Sequence, residues 1–242
     1  MSYKIVKKAD LNSQIYLMEI EAPLVAKKAA PGQFVILRID EKGERVPFTI
    51  ADFNKEKGTV TVIIQAVGKT TRDLSKLNEG DTILDFAGPL GMPTPLEGLK
   101  KVAVIGGGLG TAIAYPQAKK LKDLGAEVTA ISGFRSKEYI ILDNEMNAVS
   151  DKLIITTDDG SNGVKGFVTN AYPNDYTYFY TCGPEPMLKA IYNASLTEGQ
   201  FSFEERMGCG FGACMGCSCK TKYKNIRICK DGPVLDKEII VW

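Results

Sequence analysis

The chain contains no histidine. That absence removes the usual general base near neutral pH, every Ser-His or Cys-His nucleophile pair and every imidazole metal ligand. Catalysis in such a chain leans on a cofactor, and hydride or electron transfer suits it, because the cofactor carries the hard chemistry while the protein binds and tunes it. Net charge is also scarce. Thirty basic side chains face 29 acidic ones, for a formal net charge of +1. With no long run of one sign, nucleic acid and anionic membrane are not expected partners. Long apolar runs are missing too. The longest mostly apolar stretch, Val102 to Ala114, is interrupted by Gly106, Gly107, Gly108 and Gly110. It falls short of the about 20 residues that a bilayer-spanning helix needs. The opening Met1-Ser2-Tyr3-Lys4 carries no secretory h-region, so a cytoplasmic protein is expected.

What the chain does have is cysteine in one place. Five of its six cysteines fall between Cys209 and Cys229, a crowding that fits metal binding in a reducing compartment better than a disulfide framework. Cys209, Cys214, Cys217 and Cys229 are spaced C-x4-C-x2-C-x11-C, and glycines at 208, 210 and 212 flank the first two. Small residues let the backbone curl and aim its N–H groups at sulfur, while four thiolates are the soft ligands that iron takes. The spacing is that of a 2Fe-2S site. Structural zinc and plain buried thiols are the other readings of the same residues. Cys219 is the spare thiol.

At 242 residues and 44% hydrophobic content, the chain can bury one large core or two smaller ones. The fold class expected is β plus α/β. Residues 1–97 read as an antiparallel barrel: Ile15 to Ile20, Gln33 to Ile39 and Thr59 to Ile64 are strands, and Pro31-Gly32, Lys42-Gly43 and Lys57-Gly58 are turn signals. Residues 98–200 alternate strand and helix, as a doubly wound parallel α/β domain does. Its strands are Lys101 to Ile105, Glu127 to Ser132, Lys152 to Thr157 and Tyr176 to Thr181; its helices are Thr111 to Leu124 and Asp143 to Val149. Residues 201–242 have too little apolar content for a core and are read as a segment organised by its metal cluster.

The loop Gly106-Gly107-Gly108-Leu109-Gly110, followed by Thr111, joins the first of those strands to the first helix. Glycines there permit tight turning and let N–H groups approach a pyrophosphate, so a dinucleotide is the natural ligand. A tight turn without ligand is the alternative, since the G-x-G-x-x-G fingerprint is incomplete and no acidic residue ends the second strand. Arg135 stands there instead, as a contact for a 2′-phosphate or as a surface cation. Asp158, in Thr156 to Ser161, and the segment Cys182-Gly183-Pro184, with Met187 beyond it, follow later strands at the same edge. Cys182 either flanks a nicotinamide or packs in the core.

Barrel, dinucleotide domain and cysteine tail in this order resemble the ferredoxin-NADP reductase superfamily. Within it the chain is similar to the electron-transfer subunits of NAD-dependent dihydroorotate dehydrogenase and to the small subunit of NADH-dependent reduced ferredoxin:NADP oxidoreductase. The resemblance spans essentially the whole chain. It implies FAD on the barrel, NAD(P)H on the α/β domain and a 2Fe-2S cluster on the tail. The family's flavin motif, Arg-x-aromatic-or-aliphatic-Ser/Thr, falls on Val46-Pro47-Phe48-Thr49, with valine in place of arginine and Arg45 adjacent. A second flavin segment matches Ile63, Ile64, Gln65, Gly68, Lys69, Thr70 and Thr71. Thr49 and Cys182 are then the catalytic candidates.

The resemblance further implies a partner. It is either an FMN-containing dihydroorotate dehydrogenase subunit or a larger flavin and iron–sulfur subunit that bifurcates electrons. Residues 44–52 and 156–161 look more like the second case, whereas an all-cysteine ligand set, where that sister family has aspartate first, looks like the first. A non-enzymatic nucleotide-binding module with a zinc-knuckle tail is the reading of another class, and a self-sufficient reductase serving free acceptors is a third.

Overall fold

The continuous apolar run Phe34-Val35-Ile36-Leu37 sets a condition on the N-terminal half: a strand buried on both faces needs cover on both. In a computed structural model that describes residues 2–173 and 175–242, the chain divides into two compact units. One comprises Met1–Pro93, Glu204–Cys219 and Asn225–Pro233; the other comprises Thr94–Phe203, Lys220–Lys224 and Val234–Trp242.

The first unit holds two antiparallel sheets. Asp52–Asn54, Thr59–Gln65, Ile15–Glu21, Tyr3–Asp10 and Thr82–Ile83 lie side by side in a five-stranded sheet, and Val46–Thr49, Phe34–Arg38 and Asp85–Leu90 form a three-stranded one. Between them sits an apolar core that includes Ile5, Met18, Ile20, Val35, Leu37, Val60, Val62, Ile64 and Phe86. Val35 and Leu37 supply one face of their strand to it. Ile36, on the opposite face by the alternation of a strand, is equally buried. Its cover is the cysteine loop: a Cβ added at Gly210 would stand 2.3 Å from Ile36 Cδ1 and 3.1 Å from Leu90 Cδ1. Gly210 also has φ +82°, in the left-handed region that favours glycine. The apolar strand and the glycine of the cysteine loop thus explain each other.

The second unit is built on a seven-stranded sheet ordered Val164–Lys165, Lys152–Thr157, Glu127–Phe134, Lys101–Gly107, Tyr178–Cys182, Gly199–Ser202 and Val234–Asp236. Its pairings are parallel except the last, between Gly199–Ser202 and Val234–Asp236. The chain steps outward from Lys101–Gly107 in one direction, then returns to place Tyr178–Cys182 on its other side. That reversal makes the C-terminal ends of these two strands the switch point at which doubly wound sheets bind ligands. Helix Gly110–Asp123 packs Ile113, Ala114, Ala118 and Leu121 into the core. It ends at Gly125, where φ is +81° and the Ala126 N–H donates to the Leu121 carbonyl at 3.0 Å.

Element bounds differ from the sequence reading by a residue or two, as at helix Gly110–Asp123 and strand Tyr178–Cys182. The tail differs more. It is not a third unit, because its cysteine loop takes apolar cover from Ile36 and Leu90 while Val234–Asp236 pairs with Gly199–Ser202. Among the described residues, no helix is long and apolar enough to cross a membrane.

Candidate active site

Two of the expected flavin segments meet in the first unit. Val46–Thr49 pairs with Phe34–Leu37 in the register Phe34↔Thr49 and Ile36↔Pro47, so all four residues stand half-buried on that strand's flank. Gly68 precedes helix Lys69–Leu74, and the N–H groups of Val67 and Gly68 donate to Thr71 Oγ1 at 3.0 and 2.9 Å. Thr71 is therefore occupied in shaping the turn. Thr70 Oγ1 donates to Glu44 Oε2 at 3.2 Å, which brings this turn beside the residues that lead into Val46. Arg45, adjacent to the valine that stands where the family has arginine, lies 3.5 Å from Asp85 Oδ2, an oxygen that Arg38 Nε also contacts at 2.7 Å. Lys69 pairs with Asp73 at 3.0 Å but leaves its side chain almost fully exposed. Hydroxyl, ammonium and guanidinium donors are thus collected near one strand, a donor set that fits a flavin and its pyrophosphate. Of the remaining residues in that reading, Ile64 belongs to the core, Ile63 is buried beside it, and Gln65 reaches Gln14 Oε1 at 3.4 Å.

In the same unit the four cysteines fall into two pairs. Backbone N–H groups of Ala213 and Cys214 donate to Cys209 Sγ at 3.2 and 3.4 Å, and Cys214 itself interacts with Cys209. Cys229 N–H donates to Cys217 Sγ at 3.4 Å, and both residues are buried. The N–H groups around Cys209 stabilise its thiolate and lower its pKa to about 6. Burial, followed by the hydrogen bond to Cys217, pushes Cys229 up to about 12. Two pairs of thiolates with N–H groups aimed at sulfur suit a 2Fe-2S centre, in which each of two irons takes two protein ligands. Arg227 Nη1 donates to the Gly212 carbonyl at 2.6 Å and clamps the loop. Cys219 lies on strand Ser218–Lys220, its thiol pKa raised by burial.

The second unit carries a cavity of about 370 Å³ at the switch point. Gly107, Gly108, Arg135, Asp158, Pro184 and Met187, all candidates from the sequence, line it. The other loop residues act by close packing. A Cβ on Gly106 would stand 2.5 Å from Thr111 Cα, one on Gly110 2.2 Å from the Cys182 carbonyl oxygen, and one on Gly183 2.4 Å from Met187 Cε. Bare glycine is what lets the two ligand-edge turns touch. Cys182 is not among the lining residues: it is 1% exposed and shares a core cluster with Tyr180, which the strand's alternation puts on the same face. Sequence reasoning reached Thr156 and Pro186 only as members of longer segments and missed Gly133, Phe134, Phe167, Val168, Thr169 and Ala190 in the lining. Gly133 was findable as the glycine that registers with Gly107; Phe167 and Val168 belong to an irregular segment without a periodic signal.

Cofactor-bearing turns of this kind, on antiparallel sheets and on a doubly wound sheet, with an iron–sulfur loop, define a flavin-dependent oxidoreductase that moves electrons. Comparison with known proteins agrees. Residues 2–94 match the oxidoreductase FAD-binding domain family, and residues 204–241 match the iron–sulfur cluster binding domain of dihydroorotate dehydrogenase B. A dihydroorotate dehydrogenase B (NAD(+)) electron transfer subunit homolog from Thermotoga maritima is 39% identical over 99% of this chain and 87% of its own. The subunit so named in Lysinibacillus sphaericus is 34% identical over 97% and 95%. A solved structure of the NADH-dependent reduced ferredoxin-NADP oxidoreductase, described for flavin-based electron bifurcation, superposes with TM-score 0.93 at 38% identity, covering 99% of this chain and 90% of that one. The chain belongs to the family of dihydroorotate dehydrogenase B electron-transfer subunits, with FAD and an iron–sulfur cluster as its cofactors.

Proposed function

We propose that this subunit relays electrons between NAD(P)H, FAD and a 2Fe-2S cluster, to or from a catalytic flavoprotein partner in the cytoplasm, the first choice being one that oxidises dihydroorotate. The observation that carries the reading is the seating of Gly210, in the cysteine loop, on Ile36, whose register partner is Pro47 of the flavin motif. Cluster loop and flavin strand share one compact unit. Bound flavin accepts a hydride and releases electrons singly, and a 2Fe-2S cluster takes one electron at a time.

The chain's own residues do the positioning. Val46–Thr49 would hold the flavin, and Lys69, Thr70 and Arg45 would supply donors for its phosphates. Cys209, Cys214, Cys217 and Cys229 hold the iron. Gly107 and Gly108 admit the nucleotide pyrophosphate to the switch-point cavity. Cys182, packed beneath that turn, supports it from the core.

Similarity to the bifurcating oxidoreductase favours a second partner, a larger flavin and iron–sulfur subunit. Adding each partner in turn to the anaerobically purified chain distinguishes the two: dihydroorotate-dependent reduction of NAD supports the first, and coupling to ferredoxin and NADP supports the second. Stoichiometric zinc without FAD in the purified chain would overturn both.

Nucleotide choice is expected to rest in part on Arg135, exposed at the cavity rim with Asp158. Arg135→Ala should lower the rate of flavin reduction by NADPH relative to NADH, about two- to fivefold for loss of one exposed charged contact. Stopped-flow rates with both nucleotides check it, and an unchanged ratio removes Arg135 as a selector.

A further inference from the structure

Thr156 lines the switch-point cavity, and its buried hydroxyl has no hydrogen-bond partner among the described residues. Its neighbour shows what satisfaction looks like: Thr157 Oγ1 donates to the Asn162 carbonyl at 2.7 Å and accepts from the Asn162 N–H at 3.1 Å. A buried hydroxyl left without a partner is costly, so an orphan that faces a cavity marks a position where something else completes the bond. We infer that Thr156 is a recognition residue for the adenosine half of the nicotinamide nucleotide, a role that rests on the relay proposed above.

The sheet register places it there. Thr156 pairs with Gly133, and Gly133 pairs with Gly107 of the glycine turn. The two glycines leave the row bare of side chains between the turn and the Thr156 hydroxyl. A Cβ on Gly133 would stand 3.2 Å from Thr156 Oγ1 and 2.5 Å from Val168 Cγ1, so glycine here spares both the hydroxyl and the Val168 side chain that lies over the strand. In doubly wound sheets the pyrophosphate sits at the glycine turn and the adenosine ribose reaches the end of the next strand outward. Here that strand ends at Phe134, and the one beyond it ends at Thr157. The adenosine half therefore covers Gly133 and Thr156, and the nicotinamide half lies towards Cys182 and Pro184. Phe134, Phe167 and Val168 give the apolar walls that a flat base requires.

The test uses the full chain with its flavin and cluster, and calorimetric affinities for two fragments, ADP-ribose and nicotinamide mononucleotide. Thr156→Val keeps the shape and removes the hydroxyl. It should weaken ADP-ribose about five- to tenfold, the loss expected for one hydrogen bond, and leave the mononucleotide unchanged. Thr156→Ser should restore the affinity. With NAD(P)H, Thr156→Val should raise KM and leave kcat unaltered, and the ligand-free chain should melt no lower than wild type, since an unpaired buried hydroxyl has been removed. Wild-type affinity of Thr156→Val for ADP-ribose would show that the hydroxyl holds only water, and equal weakening of both fragments would show a structural role. Either overturns the inference. A wild-type chain that binds neither fragment overturns the nucleotide site itself.

Discussion

Gly110→Ala should lower kcat/KM for flavin reduction by NAD(P)H about a hundredfold while leaving the flavin and cluster spectra in place. The added methyl would stand 2.2 Å from the Cys182 carbonyl oxygen, 2.6 Å from its carbon and 2.9 Å from Gly183 Cα. All three are backbone atoms, and Cys182 is the last residue of a strand hydrogen-bonded on both sides, so neither partner yields cheaply. The glycine turn must open instead, and the Gly107 and Gly108 wall of the cavity moves with it. Overpacking of this kind costs about 3 kcal/mol, at the upper end of its usual range, which is about a hundredfold in nucleotide affinity. Gly125→Ala is the control. Its Cβ meets nothing within 4 Å, and only its φ of +81° is strained, so it should lower the melting temperature slightly and spare nucleotide affinity. Undiminished kcat/KM for NAD(P)H in Gly110→Ala would refute the close packing of the two turns.

Cys217→Ser should separate the two halves of the relay. Cys217 is 2% exposed, and its sulfur accepts the Cys229 N–H. Serine offers a hard, protonated oxygen where iron takes thiolate, and it leaves Cys229 without its paired ligand. Loss of an outer-shell partner costs a metal site about ten- to a hundredfold, and loss of a direct ligand costs more. Cluster absorbance and partner-dependent turnover should fall to background, while reduction of an artificial dye by NAD(P)H continues, since that reaction needs only the flavin. Retention of partner turnover would show that the cluster is not on the path. Cys219→Ser should change neither activity.

The class of fold was legible because each half announces itself in short-range pattern: period-two strands before residue 90, and a strand, a glycine turn and a helix after residue 100. The iron–sulfur domain was equally legible, since spacing and glycine content are local. What escaped depends on contacts across strands. The run Phe34 to Leu37 is visible as apolar, but that Ile36 faces Gly210, about 170 residues away, follows only from tertiary packing. The surroundings of the Thr156 hydroxyl likewise depend on Gly133 and Val168. Cys182 is a case where pattern held more than was taken from it. Its strand Tyr178–Cys182 is buried on both faces, as a central strand of a parallel sheet is, so burial was readable from the α/β pattern that puts the strand in the middle of the sheet. The tail shows the limit of counting apolar residues segment by segment, because its cover is supplied by strands far away in sequence.

The central claim is that electrons from NAD(P)H reach the cysteine cluster through flavin within this one chain. Anaerobic rapid mixing of the purified full-length chain with excess NADH or NADPH, followed by optical and electron paramagnetic resonance readout, tests it most directly. The account predicts that the flavin band bleaches and that the rhombic signal of a reduced 2Fe-2S cluster follows it. A bleached flavin beside a cluster that stays oxidised, or a colourless chain with zinc on its cysteines, would contradict it.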